Sequence, residues 1–222
     1  MKKLVLLFVF MFAVASFVSA APKPWTKDEE KKISLFFSNF AEVFLDDFAE
    51  NELSDDLMLN FAQGHIYKNR YNKLETSKGE IENFKLIPAT MVDEITLKFF
   101  GKKVSKHDDK VYAYPDADGE AYVFAHIYGY EYNEKDDTYT VKGYILSTGS
   151  GEVIKDPYGD MSKWKKDGKE VNCFYCFEGK IKTSPLDKKR FILLSYKKHE
   201  ITDEENAAFP QQESHSSARP GR

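Results

Sequence analysis

Arginine is scarce in this chain. Of 222 residues only Arg70, Arg190, Arg219 and Arg222 are Arg, so bidentate clamps for phosphate or carboxylate are few. Lysine and acid are plentiful, with 32 Lys+Arg against 36 Asp+Glu and a net charge of −4. A mildly acidic, mixed surface exerts no pull on phosphates, which argues against nucleic acid as a partner. Cysteine is rarer still. The single pair Cys173 and Cys176 falls short of a structural zinc site, and no His-x₃-His motif completes it, so no metal or cofactor is expected. The chain has no phosphate loop, no dinucleotide fingerprint and no His-Glu-x-x-His. It also lacks a Gly-x-Ser-x-Gly elbow, since Thr148-Gly149-Ser150-Gly151 fails the spacing. These absences weaken an enzyme reading without closing it, because triads need no local motif.

One long apolar run exists, and it lies at the start. Residues 1–20 read as a secretory signal peptide, with Lys2 and Lys3 before the uncharged stretch Leu4–Val14 and the small-residue end Val18-Ser19-Ala20. Cleavage after Ala20 is expected, leaving no Cys for lipid attachment and no later run of membrane length. Losing Lys2 and Lys3 takes the net charge from −4 to −6. The expected product is an exported protein, periplasmic or extracellular, without a transmembrane anchor. With 42% hydrophobic residues it can build a real core. The composition excludes collagen, coiled coil, low-complexity polymer and multispan membrane protein.

The apolar spacing divides residues 21–200 into a helical half and a strand half. Thr26-Lys27-Asp28-Glu29 has capping-box spacing, and Ile33, Phe36, Phe37, Phe40, Ala41, Phe44 and Phe48 continue one stripe, predicting a helix over about 27–50. Ser54 caps a second helix bearing Leu57, Met58, Phe61, Ala62, His65 and Ile66. A polar connection fills 70–86, and Pro88 opens a third helix ended by Gly101. From about 110 to 199 the pattern is that of strands. Val111–Pro115 and Glu120–Tyr132 flank an Asp-Gly turn, and Thr138–Thr148 returns after a turn at Asn133–Asp137. A short strand near Glu152–Lys155, a charged loop at Asp156–Lys169, and strands near Glu170–Lys182 and Arg190–His199 complete the domain; residues 201–222 read as a disordered tail. Helices followed by strands predict an α+β domain, three helices on one face of a curved antiparallel sheet. This order of elements resembles the cystatin-like and nuclear-transport-factor-like cone folds in layout alone, and such folds host unrelated functions.

The central hairpin predicts two unlike faces. Val123, Ala125, Ile127 and Gly129, opposite Ser147, Ile145, Gly143 and Val141, form the small apolar face assigned to the core. Phe124, His126, Tyr128, Tyr130 and Tyr132, with Tyr144 across the hairpin, form an aromatic face fit for a ligand or partner, and Trp164 in the charged loop joins them. Ordinary sheet packing explains much of the same pattern. His65 and His126 are the candidate general bases. Residues three apart in a strand face opposite ways, so a Cys173–Cys176 bond needs a bulge; structural thiols or a local disulfide are expected over catalysis. Asp116, Asp118 and Glu120 form only a fragment of a calcium loop, and a hairpin turn explains them. Three functions follow: a binding module for an unknown small ligand or protein, capable of homodimerising through the sheet; a small exported hydrolase using His65 or His126 with a carboxylate; or a structural envelope component.

Overall fold

The computed structural model describes residues 24–78, 83–116, 122–148, 153–166 and 171–209. The expected leader (1–20), Asp118, Gly119, Glu120 and the tail from 210 lie outside the described residues. Thr26 opens α1 (Lys27–Ala41) with both halves of the capping box: the Glu29 amide donates to the Thr26 hydroxyl at 3.3 Å and the Thr26 amide donates to the Glu29 carboxylate at 2.7 Å. The helix stops well short of residue 50. Leu45 donates its amide to the Phe40 carbonyl and Phe44 donates to Ala41, while Phe44 itself is left-handed at φ +52°. This is a Schellman ending with Phe where glycine is usual, which is why the phenylalanine stripe gave no stop signal. Phe44 consequently points to solvent, and Phe48 runs extended, bridged to Tyr196.

Ser54 caps α2 (Asp55–Arg70), and α3 (Ala89–Phe100) starts after Pro88 and ends on left-handed Gly101 at φ +73°, as the spacing predicts. The connection read between them instead contains β1 (Glu75–Lys78) and β2 (Asn83–Pro88). All four β1 residues are exposed, so no apolar alternation marked the strand. β3 (Val111–Pro115) pairs with β2, with Lys85 opposite Tyr114, rather than folding back on the next strand. The second sheet has the order β4 (Val123–Asn133), β5 (Thr138–Thr148), β6 (Val171–Thr183) and β7 (Phe191–His199), all antiparallel. The α+β class holds. The single curved sheet implied by the cone-like layout is not what forms, because the strands divide between two sheets.

Helix α1 closes one edge of the four-stranded sheet chemically. Ala125 of the edge strand β4 donates its amide to the Ser38 hydroxyl at 2.8 Å, and Ile127 donates to Ser34 at 3.2 Å. Two helix serines thus stand in for a missing strand and satisfy donors that would otherwise invite pairing with another chain. At the opposite edge, Phe48 exchanges two backbone bonds with Tyr196 of β7 at 2.8 and 3.0 Å. The main core lies between α1, α2, α3 and the inner face of this sheet, built around Phe37, Phe40, Phe61, Phe99, Phe177 and Tyr196. A second apolar cluster occupies the outer face, where Phe124, Tyr144, Leu146 and Cys176 meet Ile154, Trp164 and Val171.

That second cluster corrects the expected open aromatic face. The segment 153–166, including α4 (Ser162–Lys166), lies over Phe124 and His126, and α5 (Asp203–Ala208) sits beside Tyr144. Part of the expected disordered tail is therefore a capped helix, with Thr202 and Glu205 forming its capping box. No strand forms at Val153–Lys155. A bulge makes a further correction. Ile127 pairs with Gly143 but Gly129 pairs with Lys142, so Tyr128 is an inserted residue. Beyond it the alternation flips: Tyr130 pairs with Val141 and Tyr132 with Tyr139, on the opposite face from Phe124 and His126.

Candidate functional site

A cleft of about 570 Å³ lies where the start of α1 approaches the end of α3 and the turn before β7. Its volume is in the usual range for small-molecule sites. Trp25, Phe36, Phe99 and Phe191 supply aromatic walls, with Ile33 and the half-exposed Leu35 beside them. Among the described residues, Lys32, Lys98, Lys188, Lys189 and Arg190 stand around it against one carboxylate, Glu29. That carboxylate is held at the helix start by the Thr26 amide and hydroxyl, at 2.7 and 2.8 Å.

The cationic rim is crowded. Burial, then the nearby Arg190 and Arg70, push the Lys98 ammonium below its ordinary pKa, with Glu94 offsetting only part of this. Arg190 spends its Nε on Asp187 at 3.0 Å, and Arg70 forms a fork on Glu94 at 2.7 and 2.8 Å. Trp25 is fixed by its amide donating to the Tyr130 hydroxyl at 2.6 Å and by stacking on Tyr130 at 3.9 Å between ring centres. Tyr139 and Phe191 complete this aromatic wall. The bulge at Tyr128 is what turns Tyr130 toward Trp25.

The expected site residues are thereby split among three places. Tyr130 supports the cleft through Trp25. Tyr132 lies beside Tyr139 and donates to Asp137 at 2.9 Å near the hairpin turn. Phe124, His126, Tyr144 and Trp164 belong to the outer apolar cluster or its rim, with Phe124, Tyr144 and Trp164 nearly inaccessible. Trp164 donates its indole N–H to the Asp156 carbonyl at 3.0 Å and acts as a peg for the covering segment. Tyr128 alone of this group has a largely open side chain.

Neither candidate histidine is set up as a general base. His126 places Nε2 at 2.8 Å from the Gly159 carbonyl and Nδ1 at 3.0 Å from the Ile127 carbonyl, so both nitrogens face backbone acceptors. His65 is buried between Phe61 and Phe99; its Nδ1 meets Asn69 at 3.2 Å, while the Glu42 carboxylate stands off at 3.7 Å. The acid–imidazole–hydroxyl chain that does form is Asp93–His107–Tyr112, with separations of 2.9 and 2.8 Å. It joins α3 to β3, and burial holds the Tyr112 phenol above its ordinary pKa, which suits a structural strap rather than a nucleophile. Sequence spacing cannot reveal this chain, because its members come from separate elements. Asp116 accepts from Tyr67 and Tyr71, so its carboxylate is engaged by phenols.

The strap has a measurable consequence. Burial would raise the Asp93 carboxyl, but His107 and Lys103 outweigh it and hold the folded pKa below the ordinary value. The stabilisation is therefore present above the unfolded pKa, about 3.9, and fades as pH falls through the lower folded value. Asp93→Asn is expected to lower stability at neutral pH by about 1–2 kcal/mol. The gap from wild type should close below about pH 4 in urea titrations. A gap that persists unchanged at pH 3 would contradict this origin.

The two cysteines occupy a more organised setting than their spacing suggests. Tyr144 pairs with Cys176 and Leu146 with Cys173, leaving Phe174 as a bulge that turns both thiols to the outer face. Both are free thiols, and the Cys173 thiol donates to the Tyr175 carbonyl at 3.5 Å. Cys176 sits opposite His199 of β7, and His199 Nε2 lies 3.0 Å from the Glu205 carboxylate. The Tyr128 hydroxyl donates to the same carboxylate at 2.9 Å. Burial raises the Glu205 carboxyl, yet the Thr202 amide, His199, and the Thr202 and Tyr128 hydroxyls together bring it down to about 2. Burial pushes the Cys173 thiol up to about 11 and Cys176 higher. The ligand atoms of Cys176, His199 and Glu205 lie within 4.8 Å of one another, and burial keeps the Cys176 thiol from the thiolate form that a nucleophile relay requires.

Among the described residues no helix is long and apolar enough to cross a membrane. In comparisons with known proteins, no family model, no curated protein and no solved structure matches this chain, so its own geometry is what speaks for its function.

Proposed function

We propose that this chain is an exported binding module whose cleft at the start of α1 takes an anionic amphiphile, an apolar chain ending in a carboxylate or a similar group. One observation carries the reading: aromatic walls from Trp25, Phe36, Phe99 and Phe191 are rimmed by Lys32, Lys98, Lys188, Lys189 and Arg190, with Glu29 as the single lining carboxylate among the described residues. An anion placed between Lys98 and Arg190 relieves their repulsion, and a hydrocarbon tail along Phe36 and Leu35 removes apolar surface from water. Export rests on the leader-like first twenty residues. Ligand capture uses binding contacts alone, so it needs none of the catalytic motifs that the sequence lacks.

Laurate and its uncharged counterpart dodecanol test this, with the fluorescence of Trp25 as readout. Laurate is expected to saturate the signal at one equivalent, dodecanol to bind at least about tenfold more weakly, and Lys98→Glu or Arg190→Glu to cost laurate about tenfold each. Trp25→Phe identifies the emitting residue. Equal affinity for acid and alcohol, or laurate binding indifferent to both charge reversals, would overturn the proposal. A hydrolase reading would require a reactive centre in this cleft, and neither His65 nor His126 lines it.

A further inference from the structure

The geometry points to a second site, on the far face of the four-stranded sheet, for a zinc-class divalent cation held by Cys176, His199 and Glu205, with water as the fourth ligand. One ligand atom from each of Cys176, His199 and Glu205 lies within 4.8 Å of the others, the spread expected of donors converging on one ion. The bulge at Phe174 turns Cys173 to the same face of the sheet, beside but outside this set of three donors. Thiolate, imidazole and carboxylate together favour zinc over calcium or magnesium, which prefer all-oxygen shells.

Three elements supply the donors. β6 carries Cys176, β7 carries His199 directly across from it, and α5 delivers Glu205 through its capping box. The outer supports of a metal site are also in place: Tyr128 donates to one Glu205 oxygen at 2.9 Å, and the Thr202 amide and hydroxyl donate to the other at 3.0 and 2.9 Å. Cys176 is buried and the His199 side chain is 40% exposed, which leaves an approach from solvent on the histidine side. On binding, the cation replaces the Cys176 thiol proton and any proton shared between His199 and Glu205, and these leave to buffer. The same cation would fasten α5 to the sheet, coupling the segment after β7 to the strands beneath it.

Cobalt(II) is the probe, added to the full chain in reducing buffer. Wild type is expected to show thiolate-to-cobalt charge transfer and tetrahedral visible bands at one equivalent, both bleached by one equivalent of zinc. Cys176→Ser and His199→Ala should abolish the tetrahedral spectrum. Cys173→Ser, outside the three donors, should leave the charge-transfer band in place, and Tyr128→Phe, which leaves all donors in place, should weaken cobalt affinity about tenfold. Zinc should also raise the melting temperature of wild type and of the open-surface variant Tyr128→Phe, so the site remains readable if a buried cysteine variant unfolds. Absence of a stoichiometric thiolate–cobalt band in reduced wild type would overturn the proposal. A band unchanged by His199→Ala would do so too. Laurate binding at the remote α1 cleft uses other residues, so loss of one property leaves the other measurable.

Discussion

Phe40→Ala is expected to remove about 3–5 kcal/mol of stability. Phe40 has no solvent exposure and sits where four elements meet. Its ring lies 5.0 Å from Phe61 of α2, 5.5 and 6.0 Å from Phe99 and Phe100 of α3, and 6.2 Å from Tyr196 of β7. Truncation removes the transfer free energy of the ring and leaves a cavity walled by other rings, which cannot collapse without breaking their edge-to-face contacts. A domain of this size holds only about 5–15 kcal/mol in total, so the variant is expected to be marginal. Urea unfolding of variant and wild type measures the difference, and a loss below about 1 kcal/mol would show that the ring is not the keystone described.

Gly143→Ala is expected to cost about 3 kcal/mol, although it adds a single methyl. A Cβ at this position would stand 2.5 Å from the Phe177 ring and 2.7 Å from the His126 backbone carbonyl. The ring could turn only by entering space held by Phe37 and Tyr196. The carbonyl belongs to the ladder beside the β4 bulge and cannot yield cheaply. Here the aromatic ring of one strand covers the bare backbone of the next, a cross-strand pairing that restores packing where glycine supplies no side chain. Gly179 does the same for α1, since a Cβ there would meet Phe37 at 2.4 Å. Urea unfolding again provides the measurement, and a Gly143→Ala protein as stable as wild type would mean that the sheet can relax at this point.

The legibility of the sequence follows from the range of the interactions involved. The capping box at Thr26, the Ser54 cap and the Gly101 stop are complete within one turn of chain, and each forms as read. The small apolar face of the hairpin also lies under α1, because alternation with Val123, Ala125 and Ile127 is local. What the spacing missed are insertions of one residue. The bulge at Tyr128 separated Tyr130 from the face of Phe124, and the bulge at Phe174 turned Cys173 to the same face as Cys176. A bulge is a choice between two registers that differ by one side chain, and the partner strand makes that choice.

The candidate sites show the same division. No spacing rule joins Trp25 to Lys98 and Arg190, or Cys176 to His199 and Glu205, because each set is drawn from elements whose mutual placement depends on packing. Residue chemistry alone, read along the chain, established an α+β domain behind an apolar leader-like start, the helix boundaries that caps define, and a mixed acidic surface. Only the tertiary structure decided that the strands form two sheets, that the aromatic hairpin face is covered, that scattered cations ring one cleft, and that Cys176, His199 and Glu205 converge. The reason is physical: caps and periodicities are set by neighbours within a few residues, whereas convergence of distant side chains is set by register and close packing, which emerge only when the whole chain has folded.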